Sequence, residues 1–519
     1  MSPTPTTVLR GGLVADGLGG DPFLGDVVVA GERIAAVVPA GERPAGGYDA
    51  EIVDCAGRVV APGFVDIHCH SDLSLLAYPD NESRIGQGVT TEVVGNCGMT
   101  PAPVGADLTG LQKVISTIDV TPDLEWTWSD VAGWLQALDD CPTATNVAAH
   151  VGHGSARFAV AGTSTDALDG AGLAALEREV AGAFAAGVVG VSLGLMYAPG
   201  ESARADELAS VARIVAAHDG LLSAHLRDYR TSALRGSIDE VAGAVHDGGP
   251  RLQISHLRGI GGEDGFPEVL DHVETLQGSA DIAADAYPYV HGHTTLIQLL
   301  PPELRAAGPD AVVDACLTSP GAIADLLAAA GYALHQILVM KATATPEAVG
   351  KDLTEIDGDP WVWLADLLVA NDGLVDVAVE SGRWSDVDLA LDTPWISVAS
   401  DGTALNRTHL SSVAHPRSWG AFSAGYRRMR RRGTPVGETV RRLTTAPAAR
   451  AGLTSGIVEG HRADLVVLDD LTFDSAATFA QPAQTSVGLD HVYVGGTAVT
   501  EHGRRTGARP GTLIRKGQQ

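Results

Sequence analysis

This chain of 519 residues is short of basic charge. Its 35 Lys and Arg face 64 Asp and Glu for a formal charge of −29, and only four of the cations are lysines, at 113, 341, 351 and 516. A nucleic-acid groove or an anionic membrane surface needs the opposite sign, so neither partner is expected. The acidity reads as a solubility feature. It also means that an anionic substrate must be drawn in by local cations. Cysteine is sparse, scattered and odd in number (Cys55, Cys69, Cys97, Cys141 and Cys316), which argues against a disulfide framework. No run of about 18 apolar residues occurs. The N-terminal MSPTPTTVLRGG lacks a basic stretch followed by an apolar one. The expectation is a soluble, cytoplasmic protein.

What is present is ample apolar material, 45% of the residues, with strong local patterning. Residues 7–60 alternate in short strand-like runs separated by turn signals such as Asp16-Gly17, and the C-terminal ADLVVLDD and LDHVYVGGTAVTEHG read alike. Neither end looks able to close a core alone, so one small β-sandwich from residues 1–61 plus 446–519 is expected. Residues 62–445 alternate apolar runs with Ala-rich helical stretches, the pattern of a parallel α/β fold. Eight strands are read at 65–70, 90–95, 146–152, 188–194, 221–226, 252–257, 281–287 and 395–400, which matches a (β/α)8 barrel. Between the seventh and eighth lies a surplus of roughly a hundred residues, at about 290–390, far longer than an ordinary loop. A lid rising from the catalytic face is the expectation for it.

The metal-capable residues fall where such a barrel does chemistry. His68 and His70 end the first strand, Cys97 follows the second, His225 ends the fifth, His256 the sixth and Asp401 the eighth. Barrel active sites sit at the C-terminal strand ends. Residues two apart on a strand point the same way, so both imidazoles of His68-Cys69-His70 can face one ion. Any of these alone has an ordinary structural reading, a core histidine or a small buried thiol. Together, thiolate, imidazole and carboxylate suit Zn²⁺.

The chain resembles the amidohydrolase superfamily and, within it, the N-acyl-D-amino-acid deacylase (D-aminoacylase) family. The resemblance rests on APGFVDIHCHSD (61–72), GVTTEVVGNCGMTPAPV (88–104), VSLGLMYAPG (191–200), SAHLRD (223–228), QISHLRG (253–259), ASDG (399–402) and HPRSWGAF (415–422), and spans nearly the whole chain in order. GNCG is the most family-specific sign, since related enzymes often use a carboxylated lysine on the fourth strand. None of the four lysines here falls in a barrel strand. The resemblance implies a tightly held zinc on Cys97, His225 and His256. It implies a second, weaker or unoccupied position at His68 and His70, and Asp401 as proton shuttle. It further implies that Tyr197, Tyr287, Arg258 and Arg417 hold the α-carboxylate of a small N-acyl amino acid or dipeptide-like substrate. Arg258 replaces a family lysine, and Ser423-Ala424 replaces a frequent Pro-Arg, so side-chain preference is expected to differ. The oligomeric state is left open.

Other residues are given ordinary roles. Asp66 reads as a structural hydrogen-bonding carboxylate, His150 and His153 as packing or supporting groups, and the run Arg427–Arg432 as a solvated helix face. His291 and His293 open the insertion and are candidates to touch substrate. Two alternatives stand beside the deacylase reading. A cyclic amidohydrolase of the hydantoinase or dihydroorotase type expects the absent strand-four lysine. A non-catalytic barrel expects a lost metal ligand or strand-eight acid.

Overall fold

The structure is a computed structural model describing residues 6–42, 49–116, 124–245, 249–409 and 415–517. Eight strands form one parallel sheet whose spatial order follows chain order. They are β1 (Phe64–Asp66), β2 (Val89–Val94), β3 (Asn146–Gly152), β4 (Gly190–Gly194), β5 (Leu221–His225), β6 (Arg251–Ile254), β7 (Ile282–Ala286) and β8 (Ile396–Val398). Each falls on a run read as a strand from the sequence. Every residue of β2 to β5 is buried, which is why these strands read as near-continuous apolar runs rather than alternations. Helices intervene, and their ends are written in the sequence. The helix Gly170–Ala186 starts where the Asp169 side chain accepts from Gly172 N–H, and it stops at Gly187 in left-handed backbone.

The sheet is nearly closed. Between the ends of β1 and β8, Asp401 N–H donates to His68 O at 2.8 Å and His70 N–H to Gly402 O at 2.8 Å. The Asp66 carboxylate accepts from Ser400 N–H at 3.0 Å and from the Ser400 hydroxyl. Asp66 is thus the structural acid expected. Its burial pushes its pKa up to about 6 despite Arg84, whose Nη1 is 3.6 Å away. Arg84 Nε also donates to Glu92 at 3.1 Å, and Glu92 accepts from Ser71 and Thr145. A buried guanidinium between two carboxylates therefore ties β1 to β2.

The stretch between β7 and β8 folds on its own core. Strands His291–Thr295, Val375–Glu380 and Ile337–Ala342 form an antiparallel three-stranded sheet. Helices Pro302–Thr318, Pro320–Ala329 and Pro360–Ala370 pack against it through Val312, Leu327, Leu364 and Val377. Strands from both chain ends share one nine-stranded sheet. Leu465–Leu468 pairs antiparallel with Val59–Pro62, joining C-terminal to N-terminal strands. Eight of the strands lie on one hydrogen-bonded path and the ninth, Glu51–Asp54, pairs beside it with Thr6–Val14, where the sequence reading expects a sandwich.

The basic run corrects one expectation. On helix Arg417–Arg431, Arg427 is buried and donates to Phe473 O at 3.0 Å, Arg430 pairs with Asp470 at 2.8 Å, and Arg428 pairs with Asp388. Only part of the run, notably Arg431, is a solvated face. The reason is charge matching: aspartates far away in sequence cover the helix. Among the described residues no single helix is long and apolar enough to cross a membrane.

Candidate metal centre and substrate pocket

The GNCG loop after β2 shows why its residues are what they are. Gly95 and Gly98 have φ of 81° and 77°. A Cβ on Gly95 would lie 2.5 Å from His150 O, and one on Gly98 would lie 2.4 Å from Gly194 N. Only glycine lets this loop press against the ends of β3 and β4. Cys97 between them also has positive φ, 54°, as do His256 at 36° and Asp401 at 50°. Such backbone costs roughly 1–3 kcal/mol per residue and persists where the surroundings enforce it, commonly at functional sites. Three strand-end residues with metal-capable side chains share it.

The donor atoms converge. Cys97 Sγ lies 3.3 Å from His68 Nε2, 3.4 Å from His225 Nδ1 and 3.6 Å from His256 Nε2, and the last two nitrogens are 2.9 Å apart. Ligand atoms of one tetrahedral zinc stand about 3.3–3.6 Å apart, given bonds of roughly 2.0–2.3 Å. A second group, His68, His70, Cys97 and Asp401, shares the thiol, and within each group the donor atoms lie within 4.8 Å of one another. His70 Nε2 is 3.1 Å from Asp401 Oδ1, and His68 Nε2 is 3.5 Å from it. Burial raises a thiol's pKa, but the imidazoles of His68, His225 and His70 outweigh it and hold Cys97 well below its ordinary value. Burial takes His225 down to about 4, so it is neutral at pH 7. A thiol held toward thiolate, four imidazoles and a carboxylate, gathered from separate strand ends with the atoms of each donor group within 4.8 Å of one another, are the donor types that bind a divalent metal ion. The residues present therefore fit a metal ion.

Two residues absent from the sequence reading position these donors. Asp285, inside β7, stands 3.3 Å from His68 Nδ1, and it accepts from His256 N–H at 2.7 Å and from Gln253 Nε2 at 3.0 Å. A carboxylate behind a ligating histidine fixes its orientation and raises its basicity. Its signal was an acid embedded in an otherwise apolar strand. Tyr229 packs beside His225 and His256, with ring centroids at 5.1 and 5.0 Å, while its hydroxyl donates to Ser255 O at 2.8 Å. No pattern in the sequence marks it.

Beside the donors opens a cavity of about 150 Å³, lined by all four residues expected at the carboxylate and roofed by His293, Thr294, Val379 and Ser381 of the insertion. The two arginines differ. Arg417 Nη1 stands 2.5 Å from Asp401 Oδ2, in a buried ion pair. Arg258 Nη1 is buried with no hydrogen-bond partner among the described residues. Both guanidinium groups lie over the Tyr287 ring, at 5.4 Å for Arg258 and 5.2 Å for Arg417. Gly292 makes room for Arg258, since a Cβ there would meet Nη2 at 2.5 Å. Tyr197 packs over His225 instead, at 4.6 Å. Burial raises the Asp401 pKa, but Arg417 first and then His70 pull it well below the ordinary carboxylate value. His153 points away to Glu207 at 2.7 Å, a supporting role as expected, and His291 stands outside the cavity lining, against Phe479.

A nearly closed parallel barrel with cysteine, histidines and one carboxylate gathered at its strand ends has the makings of a metal-dependent hydrolase. Known proteins agree. The model of the amidohydrolase family matches residues 51–232. The N-acyl-D-glutamate deacylase of Alcaligenes xylosoxydans xylosoxydans is 32% identical, over 98% of this chain and 96% of that protein. A D-aminoacylase described by its binuclear metal centre, with one-metal activation and second-metal attenuation, superposes with a TM-score of 0.79 at 29% identity, over 98% of this chain and 99% of that one. The N-acyl-D-glutamate deacylase from Bordetella bronchiseptica, complexed with zinc and a phosphonate mimic of the tetrahedral intermediate, gives 0.81 at 28% identity, over 99% of this chain and all of that one. The chain belongs to the N-acyl-D-amino-acid deacylase (D-aminoacylase) family of amidohydrolases.

Proposed function

We propose that this protein hydrolyses the amide bond of N-acyl-D-amino acids with the help of zinc, releasing a carboxylate and a D-amino acid. The observation that carries the reading is the cluster of Cys97, His225 and His256, beside a buried carboxylate and a cavity lined by Arg258, whose Nη1 has no hydrogen-bond partner among the described residues. In it Cys97, His225 and His256 would hold the tightly bound ion, and His68 and His70 would line the weaker position. When bound, zinc acts as a Lewis acid on the amide carbonyl and makes water at the site more acidic.

The chain's own groups supply the rest. Asp401 Oδ2 is held by Arg417, while Oδ1, on the side of His68 and His70, takes a proton from the attacking water and delivers it to the departing amine nitrogen. Arg258, over Tyr287, receives the substrate's α-carboxylate, with Tyr197 closing the opposite wall. Arg417 divides its charge between that carboxylate and Asp401. The insertion at about 290–390 acts as the lid. Residues 1–61 and 446–519 are one small domain, whose sheet folds over as a sandwich with separate apolar sets on its two faces. The five cysteines are free thiols, in keeping with a cytoplasmic location.

Charge-assisted hydrogen bonds are worth roughly 1.5–3 kcal/mol, or about tenfold to a hundredfold. Arg258→Met is therefore expected to lower kcat/KM for an N-acyl-D-amino acid at least about tenfold, mainly through KM. It should spare an N-acyl amine without a carboxylate. Arg417→Met should depress kcat for both compounds, because it frees Asp401. An equal loss on both substrates in Arg258→Met would remove Arg258 from carboxylate recognition.

A further inference from the structure

A second cavity, of about 160 Å³, adjoins the first, and Met196 and Gln298 line both. Arg305 walls the junction, with Nη1 3.5 Å from Met196 O and 3.4 Å from Gln298 Oε1. Beyond that junction the cleft runs between helices Leu108–Ser116 and Pro302–Thr318, lined by Val114, Ala198, Ala307 and Pro309. Lys113 and Asp310 clasp the two helices across it at 2.5 Å. By the roughly 10–15 Å³ that one water-sized group needs, the cleft holds on the order of ten such groups. Acetyl, the smallest common acyl group, would leave all of it unused.

The barrel's own order says which end of a substrate enters this cleft. Arg258, Tyr287 and Arg417 follow β6, β7 and β8, while the barrel-loop side of the cleft, Val114, Thr163, Met196 and Ala198, follows β2, β3 and β4, its other side being the insertion helix Pro302–Thr318. In an eight-stranded ring these are opposite halves of the mouth, with the donor cluster between them. In an N-acyl amino acid the carboxylate and the acyl chain likewise extend to opposite sides of the scissile bond. A carboxylate on the Arg258 side therefore aims the acyl chain at Met196. The D-side chain leaves from the same carbon as the carboxylate, on the other side.

We infer that the cleft is an acyl-chain subsite and that the preferred substrates carry medium-length alkanoyl groups rather than acetyl. This rests on the deacylase reading and adds the class of acyl group. Each buried methylene contributes roughly threefold to fourfold to binding. A half-open cleft that engages only two or three of them gives at least about tenfold.

The test compares kcat/KM, by amine release, for N-acetyl- and N-octanoyl-D-alanine with wild type, Ala307→Trp and Thr163→Trp. The last two place bulk in the cleft from different elements, away from the donors and the arginines. Wild type should favour octanoyl by about tenfold or more, and both variants should lose that advantage while keeping N-acetyl turnover within about twofold. A wild type indifferent to chain length overturns the inference, as do variants that retain the octanoyl advantage. It also fails if the variants leave the acyl series alone and instead penalise N-acetyl-D-2-aminodecanoate, for then the cleft takes the side chain. Failure to release amine from any N-acyl-D-amino acid is a distinct result, which removes the deacylase reading itself.

Discussion

Asp401→Asn is expected to lower kcat by about a hundredfold to ten-thousandfold, the usual contribution of a positioned acid–base group. The amide keeps the shape of the carboxylate but cannot accept a proton at neutral pH. Asp401 is poised to act as a base: Arg417 and His70 hold it ionised against the effect of burial, and Oδ1 faces the histidines. It lies outside the Cys97–His225–His256 group, so zinc content should stay near that of wild type. The substitution also deprives the buried Arg417 of its partner, so the melting temperature should be measured alongside. Retention of even a third of wild-type kcat in a folded variant would assign the proton transfer elsewhere.

Cys97→Ala should cost both metal and activity. Its sulfur is the one atom common to both donor groups, and the thiolate is their only soft anionic ligand. Losing the ion removes several kcal/mol of Lewis-acid stabilisation, so activity should fall more than about a hundredfold. By contrast, His68→Ala touches only the second group and should leave the first ion bound. Metal analysis decides this directly, and a full equivalent of zinc in purified Cys97→Ala would refute the assignment.

Much of this site was legible because a parallel barrel buries its strands on both faces and places its chemistry at one end. The runs around β2 to β5 announce themselves as apolar, and His68, His70, Cys97, His225 and His256 follow at the predicted ends. What escaped depends on contacts between distant segments. The buried pair of Arg417 and Asp401 joins a helix start to the end of β8, and nothing local marks it. It gives Arg417 a task that carboxylate recognition alone did not foresee. Asp285 was hidden because a lone acid in a strand has no period to betray its partner. The three-stranded sheet of the insertion begins with HGHTT, whose polar residues carry none of the alternation that marks a half-buried strand. The arginine run read as solvated because Asp388 and Asp470, which neutralise it, lie some forty residues to either side.

The central claim is zinc-dependent cleavage of an N-acyl-D-amino acid, and one assay meets it: amine release from N-acetyl-D-methionine and N-acetyl-L-methionine, with the protein zinc-loaded and then chelated. The zinc-loaded protein should cleave the D-enantiomer, with the L-enantiomer slower by at least about a hundredfold. Chelation should abolish the reaction, and zinc should restore it. Equal or faster release from the L-enantiomer, or hydrolysis indifferent to chelation, would contradict the account.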